Sequence, residues 1–273
     1  MNDLQKREFE ILKVFVDICE KLNLTYYLVC GSALGAIKYQ GFIPWDDDVD
    51  VALPREDYEK FLAQAPAMLP EYLFLQNYRT DPAFPKVFSK IRDSRTTYVE
   101  TDYEGLNINH GVFIDVFALD GYPSRAEEIA AFEKRKKKYL RLISCSLQPA
   151  GSLKSKVLRA GLRMLGYHKR TAKYLAEYEG MIKSYAKANV YCNYGNFRGV
   201  MEKTPKEIYG DGIEAFFEGL RVRIPSKYDT YLRKKYGDYT LDPPVEEQVG
   251  HHYYAIMDLS TSYKKVLKPK NMI

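Results

Sequence analysis

The sequence predicts an α+β fold, a mixed sheet flanked by helices, and three observations carry that reading. Short apolar or alternating runs bounded by turn residues recur between Tyr26 and Phe117, the mark of strands. Segments with helical apolar spacing are interleaved with them. After Pro123-Ser124 the spacing stays helical as far as Ala188, then returns to a mixed pattern. These changes divide the 273 residues into a core at 1–123, a basic helical insertion at 124–190 and a C-terminal α+β segment at 191–273 that completes the core.

Taken in order, Leu4, Ile11, Leu12, Phe15, Cys19 and Leu22 recur at helical spacing, with Asp3 placed as the cap. Tyr26 to Cys30 reads as a strand, and Gly31-Ser32 as the turn into a helix ending near Gly41. Val49 to Leu53 is a strand, and Pro54-Arg55 opens the next helix. Tyr72 to Gln76, Lys86 to Arg92, Thr97 to Glu100 and Gly111 to Phe117 complete the strands of the first part. Helices are expected at 126–146, 152–165 and 170–188, the first two separated by a turn at Pro149-Ala150-Gly151. A hairpin at Ile213–Phe217 and Leu220–Ile224 turns about Gly219, and a helix follows from Ser226 to Tyr236.

Composition narrows the class. Hydrophobic residues at 46% and charged residues at 28% are the balance of a folded soluble protein. Cys19, Cys30, Cys145 and Cys192 are far apart, so neither a zinc knuckle nor a disulfide framework is indicated. No apolar run approaches the ~18 residues of a membrane span, and no export signal is visible, which makes the cytoplasm the expected compartment. The 24 tyrosines against one tryptophan suit half-wet, sugar-facing surfaces.

The strongest local signal is Pro44-Trp45-Asp46-Asp47-Asp48-Val49-Asp50-Val51. Carboxylates at alternate strand positions share a face, so Asp48 and Asp50 converge, joined by Asp46 if the strand reaches that far back. Such crowding is unfavourable without a cation, and hard oxygen ligands favour Mg2+ or Mn2+. The alternative is an acidic turn at a strand entrance. Asp115 stands alone in the apolar run Val112 to Phe117, where a buried carboxylate requires a partner or else caps a strand end. Gly31 and Ser32 lie where a helix N-terminus attracts phosphate, or where a plain turn needs a cap. Lys90 and Arg92, at alternate positions of one strand, either reach a donor phosphate or line a solvated edge. Gln248 and His251, with His252 beside it, are candidates for substrate contact or ordinary surface residues.

A glycine-serine turn, an Asp-x-Asp pair on the next strand and one Asp on a later strand together resemble the DNA polymerase β-type nucleotidyltransferase superfamily. The runs Gly31 to Gly35, Gly41 to Asp50 and Ile114 to Asp120 are more narrowly similar to the LicD/fukutin family, as are Pro225 to Tyr228, Tyr236 to Tyr239, Pro243-Pro244 and His251. The stretch 126–188 carries little of the likeness. The resemblance implies a polymerase β-type core and transfer of phosphocholine or ribitol phosphate from a CDP-activated donor to a glycan, as in decorating surface polysaccharides, lipopolysaccharide or teichoic acids. Within it, Asp48 and Asp50 match the metal pair, Asp46 an added acid, Asp115 the third carboxylate, and Gly31 and Ser32 the donor-phosphate turn.

Thirteen Lys or Arg and one acid fall between Glu133 and Lys173. Val157, Leu158, Leu162 and Leu165 oppose Lys156, Arg159 and Arg163 there, a pattern that rests on anionic membranes or packs on the core. A membrane contact would suit a glycan or lipid-linked glycan acceptor. Two rival functions are an NTP-using enzyme of the same fold, which releases pyrophosphate rather than CMP, and a nucleic-acid-binding module on the basic helices. A nucleic-acid partner is not expected, because the acidic face would repel a polyanion.

Overall fold

The computed structural model describes residues 1–147, 153–195 and 202–267. It is an α+β fold. Helix α1 (Asp3–Lys21) is capped by Asn2 rather than Asp3, because the Asn2 side chain accepts from the Gln5 amide while Gln5 Oε1 returns the bond. Strand β1 (Tyr27–Leu28) is shorter than expected, since helix α2 (Cys30–Lys38) already begins at Cys30 and takes Gly31 and Ser32 into its first turn. Strand β2 (Asp50–Pro54) leads into helix α3 (Arg55–Gln64). Strands β3 (Leu73–Gln76), β4 (Ser89–Asp93), β5 (Thr97–Glu100) and β6 (Val112–Asp120) follow.

The insertion consists of α4 (Ala126–Ile143), α5 (Leu153–Met164) and α6 (Thr171–Lys183). The expected turn at Pro149-Ala150-Gly151 lies outside the described residues. Then come β7 (Val190–Asn193), β8 (Glu202–Pro205), α7 (Lys206–Tyr209), β9 (Ile213–Phe217), β10 (Leu220–Ile224), α8 (Tyr228–Tyr236), β11 (Tyr254–Asp258) and α9 (Tyr263–Val266). The β9–β10 hairpin forms where expected, with Glu218 and Gly219 both at positive φ, the conformation that tight hairpins demand.

The main sheet runs β1-β2-β6-β4-β3, with β7 and β8 beside the far end of β6. Only β2 and β6 are parallel among its described pairs. Strand β6 is long enough for β4 to pair with Val112–Val116 and for β7 to pair further on with Leu119 and Asp120. The chain therefore leaves the sheet after β6, builds the insertion, and returns at the same strand.

Two buried clusters result. The larger packs α1, α3 and the C-terminal hairpin on the sheet through residues such as Phe15, Phe61, Ile114 and Phe217. The smaller is rich in rings, with Tyr122, Phe132, Tyr139, Tyr178 and Tyr194 joining α4 and α6 to the sheet end. Arg55 bridges the two regions: its guanidinium donates to both Asp120 oxygens and to Glu179 of α6. Fourteen of the 24 tyrosines are buried, so the tyrosine surplus serves packing more than a sugar-facing surface. On α5 Val157 and Leu158 are exposed, as is Leu165 just beyond its end, while Leu162 is half-buried.

Candidate active site

The site begins at the end of α1. Gln5 Nε2 donates to the carbonyls of Ile43 (3.3 Å) and Asp46 (3.0 Å), so the helix cap also fixes the loop before β2. That loop holds Asp46, Asp47 and Asp48 ahead of the strand, which starts only at Asp50. Alternation still sorts the side chains, because Val49 and Val51 are completely buried while Asp48 and Asp50 open to the other side.

Helix α2 supplies the opposite wall. Gly31 leaves no room for a side chain: a Cβ there would lie 2.5 Å from Asp46 Oδ2. The Ser32 hydroxyl accepts a hydrogen bond from the Asp50 amide at 2.8 Å, so it locks the start of β2. Cys30, just before them, adopts φ +53°, an uncommon value for a residue with a side chain, and its amide donates to the Tyr231 hydroxyl. Gly31 and Ser32 are thus built into the acidic site, through contacts with the carboxylates and their backbone.

Asp115 pairs in register with Asp50 across β2 and β6, and with Lys90 across β6 and β4. Lys90 Nζ lies 2.8 Å from Asp115 Oδ1 and 3.0 Å from Glu100. The Asp115–Lys90 contact lacks hydrogen-bond geometry, and Asp115 Oδ1 is buried with no hydrogen-bond partner among the described residues. Arg92 is placed elsewhere. It is fully buried, and its guanidinium donates to Gln76, the Gly111 carbonyl and Glu100. Lys90 and Arg92 therefore form a charged layer under Asp115, neither a solvated edge nor part of the cleft wall.

Residues of the C-terminal segment and of α1 complete the cluster. The amides of His251 and His252 each donate to an Asp47 oxygen at 3.0 Å, and Gly250 makes that approach feasible, since a Cβ would sit 2.3 Å from Asp47 Oδ2. His252 Nδ1 lies 3.4 Å from Asp47 and 3.5 Å from Asp48. The ligand atoms of Asp47, Asp48 and His252 fall within 4.8 Å of one another, close enough to share an ion. Glu8, one turn beyond Gln5, is buried beneath this group and its Oε2 has no hydrogen-bond partner among the described residues. His251 lines the cleft, whereas Gln248 donates its amide to the Pro243 carbonyl.

The electrostatics are those of a crowded acid site. Burial, then the charge of Asp50, pushes Asp46 up to about 7. Burial likewise lifts Asp48 to about 7, against the pull of His252 and with the push of Asp46 and Asp115. Asp50 is driven well above the carboxylate range by burial and by Asp48 and Asp115. Burial opposes the charged form of His252, yet the Asp47 hydrogen bond and Asp48 raise it to about 10. Asp47 goes the other way: burial is outweighed by donors from His252 and His251, and its carboxyl stays below the usual range.

Asp46, Asp48 and Asp50 open onto a cavity of about 880 Å³ between α2, α8 and the loop before β11. Lys235 of α8 lines the same cavity, with Nζ 3.0 Å from Cys30 Sγ, and its charge favours ionised Asp50. Helical spacing could have flagged Glu8, which shares the α1 face of Ile11, Leu12 and Phe15. Lys235 and the choice of His252 over His251 had no such signal, because both depend on long-range folding of the C-terminal segment.

Residues 23–139 match the family described as LicD/FKTN/FKRP, nucleotidyltransferase domain. The chain is 31% identical over 251 residues to the lipopolysaccharide cholinephosphotransferase LicD of Haemophilus influenzae, covering 89% of this chain and 92% of that protein. Uncharacterised proteins of Rickettsia prowazekii and Rickettsia typhi are each 37% identical over 49 residues, 18% of this chain.

Proposed function

The chain belongs to the LicD/FKTN/FKRP family, and from that premise we propose that it is a metal-dependent transferase that moves phosphocholine from CDP-choline onto a sugar hydroxyl of a cell-surface glycan precursor, releasing CMP. The observation that carries the reading is the pairing of Asp50 with Asp115 across two strands, coupled by charge to Asp48, with Asp48 and Asp50 opening onto a large cleft, within a chain that shares 31% identity with a cholinephosphotransferase over most of its length. The core on which they sit is read as a polymerase β-type nucleotidyltransferase core: residues 1–123, completed by 191–273 and interrupted by the insertion at 124–190.

The residues fit a divalent cation. Asp46, Asp48 and Asp50 raise one another's proton affinity, and Asp115 stands in register with Asp50, its Oδ1 ion-paired with Lys90 at 2.8 Å. Asp48, Asp50 and Asp115 would hold Mg2+ or Mn2+, with Asp46 beside them. When bound, the ion would neutralise charge on the donor diphosphate. Gly31 and Ser32 shape the phosphate end of the cleft and Lys235 supplies a positive charge there, a role that sequence had given to Lys90 and Arg92. The acceptor hydroxyl attacks the phosphorus that carries choline. Its new P–O bond forms as the bond to the bridging oxygen breaks and CMP leaves, with Asp115 either helping to hold a second ion or accepting the hydroxyl proton. His251, on the cleft wall, is assigned to substrate contact, and Gln248 to holding the loop before it.

We also place the protein at the cytoplasmic face of an anionic membrane. Exposed Val157, Leu158, Met164 and Leu165 alternate with the basic residues of the insertion, which would bring the cleft to a lipid-linked acceptor. No helix among the described residues is long and apolar enough to cross a membrane.

The test is a donor panel of CDP-choline, CDP-ribitol and CDP-glycerol with a glycan acceptor mixture, assayed with Mg2+ or EDTA. CMP released from CDP-choline only with metal supports the reading. Silence with all three, together with pyrophosphate release from an NTP, would replace it with nucleotide transfer.

A further inference from the structure

The mechanism uses only some of the residues that line the 880 Å³ cleft. Beyond Asp46 the wall is built of rings: Trp45, Tyr39, Tyr236 and Tyr239. Trp45 and Tyr39 have centroids 6.2 Å apart and planes at 80°, so they meet as a corner. The Tyr39 hydroxyl is tied to Asp242, which also binds Lys38 Nζ at 2.6 Å. Lys38 is further held by the Tyr239 carbonyl. Asp238, Asp242, Glu246 and Glu247 line the same cleft, as do Lys38 and Lys235, and Lys38 Nζ lies 5.6 Å from the Tyr39 ring centroid.

A corner of ring faces in a cleft lined by carboxylates is unsuited to a diphosphate. A flat nucleobase would prefer parallel ring faces to a corner. The arrangement matches a bulky cation that cannot donate hydrogen bonds, because ring faces attract positive charge and the carboxylates reinforce it without a directed contact. Trp45 immediately precedes Asp46, with consecutive Cα atoms about 3.8 Å apart. A cation held at the corner thus lies in the same cleft as a phosphate at the acids.

We infer that Trp45 and Tyr39, with Tyr239 and the Asp242 carboxylate beside them, form a quaternary-ammonium subsite that selects the choline end of the donor. The inference rests on the proposed phosphocholine transfer and adds the residues that set its donor specificity.

Because Trp45 is the single tryptophan, its emission reports on the corner directly. The full-length protein is titrated at constant ionic strength with choline chloride, with the neutral isostere 3,3-dimethylbutanol, and with CMP. Choline should give a saturable change at least about tenfold tighter than the isostere. Tyr39→Leu should weaken choline binding by about tenfold and leave CMP affinity within twofold of wild type, with Tyr39→Phe retaining most of the choline affinity. Equal response to choline and the isostere, or no saturable response to choline, overturns the subsite. Loss of CMP affinity in Tyr39→Leu with choline unaffected overturns it too, in favour of a nucleobase platform. Since this measurement needs no turnover, a silent donor panel would count against the transfer reading, whereas absent choline selectivity counts against the subsite.

Discussion

Asp50 and Asp115 stand in register on neighbouring parallel strands, β2 and β6, and the row continues to Lys90 on β4. The acid from the Asp-x-Asp motif and the acid from a strand some sixty residues later therefore meet because the sheet places them opposite one another. Asp48, just before the strand, adds its charge to theirs.

This crowding predicts a metal effect visible without turnover. Mg2+ should raise the melting temperature of the wild type by several degrees. Asp50→Asn should melt at or above the metal-free wild type, because one repelling charge is gone, and should lose most of the Mg2+ response. Thermal melts with Mg2+ and with EDTA check both.

Gly31→Ala replaces a hydrogen by a methyl that would meet Asp46 Oδ2. Alanine suits a helix, so the fold should melt within a few degrees of wild type. Transfer should fall by about ten- to a hundredfold, since the displaced Asp46 carboxylate lines the cleft beside Asp48 and Asp50. Parallel melting curves and initial rates separate the two effects.

Arg55 joins α3, the end of β6 and α6 through Asp120 and Glu179, all three largely buried. Arg55→Ala leaves those carboxylates without their main counter-charge and should cost about 3–5 kcal/mol in denaturant unfolding. A loss under 1 kcal/mol would mean that Arg79 and Lys183, which also contact Glu179, suffice.

Glu100 gives a pH dependence with a definite sign. Burial alone would raise it, but Lys90 and Arg92 hold it at about 2, below its ordinary value of 4.5. A depressed folded value means that its contribution is complete above 4.5 and is lost as pH falls toward 2. Stability of the wild type should decline more steeply over that interval than stability of Glu100→Gln, which should already be weaker at pH 7. Unfolding midpoints from pH 7 to pH 2.5 decide the matter.

Co-sedimentation with vesicles tests the membrane contact. The wild type should bind vesicles rich in anionic lipid and detach at high salt. Leu158→Glu with Leu165→Glu should weaken that binding at least about fivefold without lowering transfer to a water-soluble acceptor.

Much of the fold was legible because period and punctuation are local properties. The hairpin at 213–224 and the β5 strand appear where alternation placed them. Strand β11 escaped notice: its residues are mostly exposed and lack alternation, and it exists by pairing with β5 about 150 residues earlier. The same division holds in the site. The spacing of Asp48 and Asp50 announced a shared face, and the apolar run around Asp115 announced a buried acid. Lys90 and Arg92 alternate as expected, yet Glu100 draws both inward, a partner chosen by tertiary packing. Asp47 bound to His252, and Lys235 beside Cys30, likewise arise only once the C-terminal segment closes over the acids.

The most direct test of the account is transfer itself, followed as the mass of a defined glycan acceptor incubated with CDP-choline, Mg2+ and either wild type or Asp50→Asn. The expected result is an acceptor heavier by one phosphocholine, one CMP per transfer, no product in EDTA, and a loss of at least about a hundredfold in the variant. Undiminished transfer by Asp50→Asn, or transfer that proceeds equally in EDTA, would contradict it.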